Sequence, residues 1–137
     1  MTGMATRRFT IEEVDTMIPR LEMLMERLQR TVLMVRSTVH EAEAEPAVRT
    51  TVDVLRVRPE LAPYVAEIES TVAEIEQLGG QFKGIDLGLV DFPAEVDGRP
   101  ILLCWQYGEK CVGFWHGLDE GFAGRRAFPI ASPPPLQ

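Results

Sequence analysis

Between Val14 and Val39 the apolar residues Val14, Ile18, Leu21, Met25, Leu28, Val32, Val35 and Val39 advance by four and three in strict alternation. Such a repeat, held for about four heptads, puts every one of these side chains on a single stripe of an α-helix and keeps that stripe against a partner helix. The start of the helix is marked as well. Thr10 and Glu13 fit the T-x-x-E capping box, and Phe9 and Val14 occupy the two positions of a hydrophobic staple. Pro19 lies inside the repeat, where it removes one hydrogen bond and its ring opposes the carbonyl of Asp15. The spacing therefore predicts a kink there, or a short first helix followed by a longer one from near Ile18. Pro46 disfavours helical geometry at Glu45, which closes the helix within HEAEAEP.

A partner follows. Leu61, Val65, Ile68, Val72 and Ile75 step four and three again, and Gly79–Gly80 supply the stop. Residues 46–59 read two ways: Val48, Val52 and Leu55 suit a short helix, yet TTVDVLRV is rich in β-branched residues. The expected product is a long antiparallel helical hairpin over residues 9–80. Its first helix, of roughly 30 residues, outruns a second of roughly 20. The seam from Leu28 to Val39 then stays bare unless residues 46–57 or another subunit cover it. Burying four such side chains is worth about 1.5–3 kcal/mol each, so a homodimer is expected. The leading functional reading is a homo-oligomeric interaction or assembly module.

From Lys83 the period changes to two. IDLGLVDF puts Ile85, Leu87 and Leu89 on one side, and Asp97–Gly98 is a strong signal for a hairpin turn with both central residues at positive φ. ILLCWQY and CVGFWH then flank GE. A tight turn at Tyr107–Gly108 or at Gly108–Glu109 aligns Ile101, Leu103, Trp105 and Tyr107 with Val112, Phe114 and His116 on the helix-facing side. Leu102, Cys104, Gln106, Cys111, Gly113 and Trp115 take the other side. The fold class is α+β: the helical hairpin packed on a small three-stranded antiparallel β-sheet, with the sheet and a C-terminal turn over 83–128.

The whole of 1–137 suits a single domain. Its tail, 129–137, is proline-rich and unsuited to strand pairing. A net charge of −7 argues against nucleic acid as a partner. The N-terminus lacks the apolar core of a signal peptide and no apolar run reaches membrane-spanning length, so no membrane partner and a cytoplasmic location are expected. Cys104 and Cys111 would then be free thiols, and their C-x6-C spacing matches no zinc or redox signature.

Several of these pieces resemble a bacterial and archaeal family, domain of unknown function 2203. They are GLVDFPA (88–94), LCW (103–105), GE (108–109) and FWH-x-x-DEGFAGR (114–125), together with FT-x-EE at Phe9–Glu13 ahead of a leucine-rich helix containing a proline. The resemblance covers roughly residues 9–128. It supports the fold grouping and implies no activity.

CVGFWHGLDEGFAGRR, residues 111–126, gathers the candidate functional residues. His116 closes an apolar strand face, where a histidine reads first as a packed, hydrogen-bonded residue. With Asp119 and Glu120 it forms the alternative reading: a small metal- or ligand-dependent enzyme holding a divalent metal ion on His116, Asp119 and Glu120. Arg125 would steady an anion, and Trp115 would offer a contact surface unless Phe128 or Ile130 folds back over it. Arg125 and Arg126 also suit pairing with the surplus acids, and Asp119–Glu120–Gly121 also reads as a polar turn. Glu109, about six residues from His116 along the hairpin, would need a second chain to reach it. Asp86 or Asp91 could approach His116 across the sheet. His40, beside Glu41 and Glu43, is expected at the surface. No nucleophile elbow, phosphate loop or dinucleotide fingerprint is present.

Overall fold

The computed structural model describes residues 7–128. The 129–137 tail, and with it Ile130, lies outside them. The first helix, α1, runs unbroken from Ile11 to Ala42 with Pro19 inside it. The expected division at Pro19 does not occur. Pro19 faces solvent while Ile18 and Leu21 are buried on either side, so packing outweighs the single lost hydrogen bond. The capping box forms as the sequence requires: Thr10 Oγ1 accepts from the Glu13 amide at 3.1 Å, and Glu13 Oε1 accepts from the Thr10 amide at 2.9 Å.

Within residues 46–59 the helical reading holds for 51–57, and 46–50 form the turn before it. A second capping box, Thr50 with Asp53, opens α2 (Thr51–Val57), and a short 3-10 turn at Pro59–Leu61 leads into α3 (Ala62–Gln77). Two bonds between α1 and α3, Arg20 to Glu74 and Thr31 to Glu67, show them running antiparallel. The simple hairpin therefore becomes three helices. This answers the question of the bare seam. Val35 and Val39 pack against Ala42, Val54 and Leu61 in a cluster of their own, so α2 covers the stretch that seemed to need a second subunit.

The glycine pair after α3 has a steric task. Gly79 sits at φ +104°, and a Cβ there would lie 2.2 Å from the Phe9 ring; at Gly80 a Cβ would meet Val90 at 2.5 Å. Only glycines let the chain turn this closely under the start of α1.

The sheet has five antiparallel strands in sequential order, not three: β1 (Gln81–Gly84), β2 (Leu89–Val96), β3 (Arg99–Gln106), β4 (Phe114–His116) and β5 (Arg126–Ala127). The expected strand IDLGLVDF is interrupted. Residues 85–88 form a turn in which Gly88 adopts φ +67° and Leu87 is exposed, and strand geometry resumes at Leu89. Asp97 and Gly98, at φ 50° and 77°, make the expected hairpin turn between β2 and β3. Pro93 is tolerated because β1 has ended by that point. Its carbonyl accepts from the Phe9 amide at 2.7 Å, so its missing N–H also faces this open edge.

The core lies between the helices and one sheet face. Val14, Ile18, Leu21, Leu24, Met25 and Leu28 from α1 meet Val90, Phe92, Leu103 and Trp105 from the sheet. Ile101, Leu103 and Trp105 face the helices as expected. The expectation for β4 fails by one residue. Leu102 pairs with His116 and Leu103 with Trp115, so Phe114 and His116 turn away from the helices and Trp115 turns toward them. The connection is not a tight GE turn but the longer loop 107–113, tied to α1 where Asp15 Oδ1 accepts from the Val112 amide at 2.8 Å. One residue more or less in such a loop exchanges the faces of the whole following strand.

Candidate metal centre

The flipped register carries His116 onto the sheet face opposite the helices. Cross-strand partners share a face, so Asp91 and Cys104, which pair across β2 and β3, stand on that same side, one step along from the Leu102–His116 pair. Side chains from three neighbouring strands thus converge. One ligand atom from each of Asp91, Cys104 and His116 lies within 4.8 Å of the other two, and all three residues are buried. Among the described residues this is where metal-ligating side chains gather.

The hydrogen bonds constrain what occupies this point. His116 Nδ1 lies 2.9 Å from the Gly117 carbonyl oxygen, which can only accept, so Nδ1 carries a proton. Nε2 lies 3.0 Å from Asp91 Oδ2. A neutral ring protonated at Nδ1 would set a lone pair against a carboxylate. Either a second proton or a metal ion must therefore sit between Nε2 and Asp91. The other carboxylate oxygen, Asp91 Oδ1, is buried and has no hydrogen-bond partner among the described residues, a costly condition for an anionic group. Lys83, with Nζ 4.0 Å from Asp91 Oδ2, stands at the solvent side.

The third member is held by the return of the chain after β4. Arg125 donates from Nε to Cys104 Sγ at 3.3 Å and from Nη2 to the Cys104 carbonyl at 3.0 Å. The same Nη2 reaches both Glu109 oxygens, at 2.7 and 2.8 Å. Phe114 and Phe122 bring their rings to 4.0 and 5.2 Å from the guanidinium carbon. Burial pushes the Cys104 thiol up to about 11, against the opposing hydrogen bond from Arg125. Burial alone would lower the Arg125 pKa; hydrogen bonds with Glu109 and Cys104 outweigh it and raise the pKa above its ordinary value.

A protonated thiol is a poor nucleophile. Nor does the imidazole activate it, since both ring nitrogens are directed at Gly117 and Asp91. A cysteine–histidine catalytic pair is not built here. A cysteine, a histidine and a carboxylate converging from rigid strands, with the distal ring nitrogen fixed on a backbone carbonyl, instead match what a tetrahedral transition-metal site uses.

The other candidates lie elsewhere. Asp119 and Glu120 sit in the exposed turn after β4; Glu120 accepts from the Gly117 amide at 2.7 Å and pairs with Arg126 at 2.7 Å. They are not brought to the imidazole nitrogens. Trp115 packs at the edge of the main core with the Arg126 guanidinium over its ring at 4.6 Å, and Phe128 reaches the same core. Glu109 does not bond the imidazole; it reaches Arg125, which in turn bonds Cys104. Of the two flanking acids Asp91 is the one that arrives; Asp86 lies in the 85–88 turn, paired with Arg36 at 2.6 Å. His40 is exposed in the last turn of α1. The sequence did carry a signal for the missed member, Cys104. Like Asp91 in LVDF, Cys104 in LLCW interrupts an otherwise apolar strand, and polar groups at such positions need partners.

Among the described residues no helix is long and apolar enough to cross a membrane. No curated protein and no solved structure matches the chain. A family model does, over residues 7–128, and that span takes in α1, the double glycine, all five strands and each member of the buried cluster. By that match the chain belongs to the DUF2203 family of uncharacterised conserved proteins.

Proposed function

We propose that this protein binds one divalent transition-metal ion through Asp91 carboxylate, Cys104 sulfur and His116 Nε2. The observation that carries the reading is the Nδ1–H bond to Gly117, which leaves Nε2 and Asp91 facing each other across a position that a metal ion can take in place of a proton. Charge supports it. A divalent ion with an aspartate and a thiolate sums to zero, and Arg125 with Glu109 sums to zero beside it, so the loaded centre avoids a net buried charge. A reducing compartment such as the cytoplasm would keep Cys104 available. The net charge of −7 favours partners other than nucleic acid.

Elemental analysis of protein purified without chelator, then reconstituted with zinc and desalted, tests the reading. Wild type should retain about one ion per chain and Asp91→Asn, which keeps the shape but weakens the ligand, far less. Wild type retaining under roughly a tenth of an ion per chain after reconstitution would end the proposal.

A second reading, homo-oligomeric assembly, now rests on a different surface. Leu33 is 70% exposed, and Met23 and Met34, three helical turns apart, are bare on the same side of α1. Light scattering at low micromolar concentration should return about twice the mass of one chain, and Leu33→Glu should return a single mass. A monomeric wild type removes this reading.

A further inference from the structure

We infer that Arg125 is a positioning residue that aims the Cys104 sulfur into the centre and so makes the site one for zinc-class ions over manganese or magnesium. This rests on the metal reading above and adds to it which ion is chosen and by what device. The guanidinium grips both polar atoms of one residue, Sγ through Nε and the carbonyl oxygen through Nη2. Such a grip sets the direction of the sulfur as well as its distance.

The guanidinium is itself immobilised. Glu109 holds it with both oxygens. Glu109 is pinned in turn: its Oε1 accepts from the Gln106 amide at 2.8 Å and its carbonyl accepts from Trp105 Nε1 at 3.0 Å. Trp105 is wholly buried in the main core, so the chain of support runs from the core to the sulfur. Phe114 and Phe122 restrict the guanidinium further.

A neutral thiol is a weak acceptor, and a half-buried arginine directed at one gains little from it. The same donor directed at a thiolate makes a charge-assisted bond. A divalent ion at the centre would take the sulfur as a ligand, with the thiol proton released to solvent, and Arg125 would hold that sulfur in place from behind. Sulfur and imidazole ligands favour zinc and cobalt, whereas manganese and magnesium seek oxygen. Partners behind a metal ligand typically contribute 10–100-fold in affinity.

A competing account makes Arg125 only a staple that fastens the segment after β4 to the sheet. Cobalt(II) separates the two, because a thiolate–cobalt bond gives an intense near-ultraviolet charge-transfer band that a mere staple would not affect. Wild type should show this band and bind zinc at least about 100-fold more tightly than manganese. Cys104→Ser should lose the band and most of the preference. Arg125→Met, with folding followed by circular dichroism, should weaken zinc binding by about 10-fold or more and diminish the band. Arg125→Lys, which retains charge without the fork, provides the same comparison if the methionine variant does not fold. Arg125 variants matching wild type in zinc affinity and spectrum overturn this inference alone, whereas cobalt bound without the band also removes Cys104 from the proposed ligand set. Failure to bind either cobalt or zinc overturns the metal reading with it.

Discussion

His116→Ala should cost the metal-free protein about 3–5 kcal/mol of stability, read from the midpoint and slope of urea unfolding. His116 and Asp91 are each 2% exposed, and the ring bridges β2 and β4 across the intervening strand. Removing it leaves a buried carboxylate whose Oδ1 has no partner among the described residues and whose Oδ2 keeps only Lys83 Nζ, at 4.0 Å. Most of the loss is therefore the penalty on Asp91, not the value of the bond. That distinction can be measured. Asp91→Ala combined with His116→Ala should cost less than the two single changes added together, with a coupling of about 0.5–3 kcal/mol. Strictly additive costs would mean that the two groups do not act as a pair.

Trp105→Ala should be as damaging, about 3–5 kcal/mol, for a different reason. The ring is wholly buried opposite Val90 in the centre of the helix-facing side, and its indole nitrogen donates to the Glu109 carbonyl. Truncation empties a large volume that rigid neighbours on a five-stranded sheet cannot collapse to fill. It also frees the loop that presents Glu109 to Arg125. Trp105→Phe separates the two effects, since it fills most of the cavity but cannot donate. It should cost clearly less than alanine while still loosening Glu109. A loss under roughly 1 kcal/mol for Trp105→Ala would mean that the centre of this core is not packed as described.

Much of the helical half was legible because its determinants are local. The four–three spacing of α1 and α3, the Thr10–Glu13 box and the Asp97–Gly98 turn each act over a few neighbouring residues. Local chemistry completes them whatever the rest of the chain does. Pro19 does not divide the helix, for the complementary reason. Its cost is local, but the buried neighbours that outweigh it are brought by α3 and the sheet. Residues 46–59 were ambiguous because β-branched side chains favour strands only weakly. The hollow left along α1 settled 51–57 as helix.

The site was less legible. His116 was singled out, but its surroundings were read from the following turn, and Asp119 and Glu120 are neighbours in sequence only. Its companions Asp91 and Cys104 stand 25 and 12 positions earlier, on strands two and one removed. Their meeting depends on the parity of the 107–113 loop, which no pattern in GEKCVG declares.

By itself, then, the sequence determined the courses of α1 and α3, where α3 stops, the turn at Asp97–Gly98, and which side of β3 is apolar. Those properties follow from side-chain periodicity and backbone preference within a turn or two. Only the tertiary structure decided the register of β4, and with it the side on which His116 stands and what it faces. Strand register is set by whole-face burial and loop anchoring, such as the Asp15 bond to the Val112 amide. Those forces act between segments far apart in the chain.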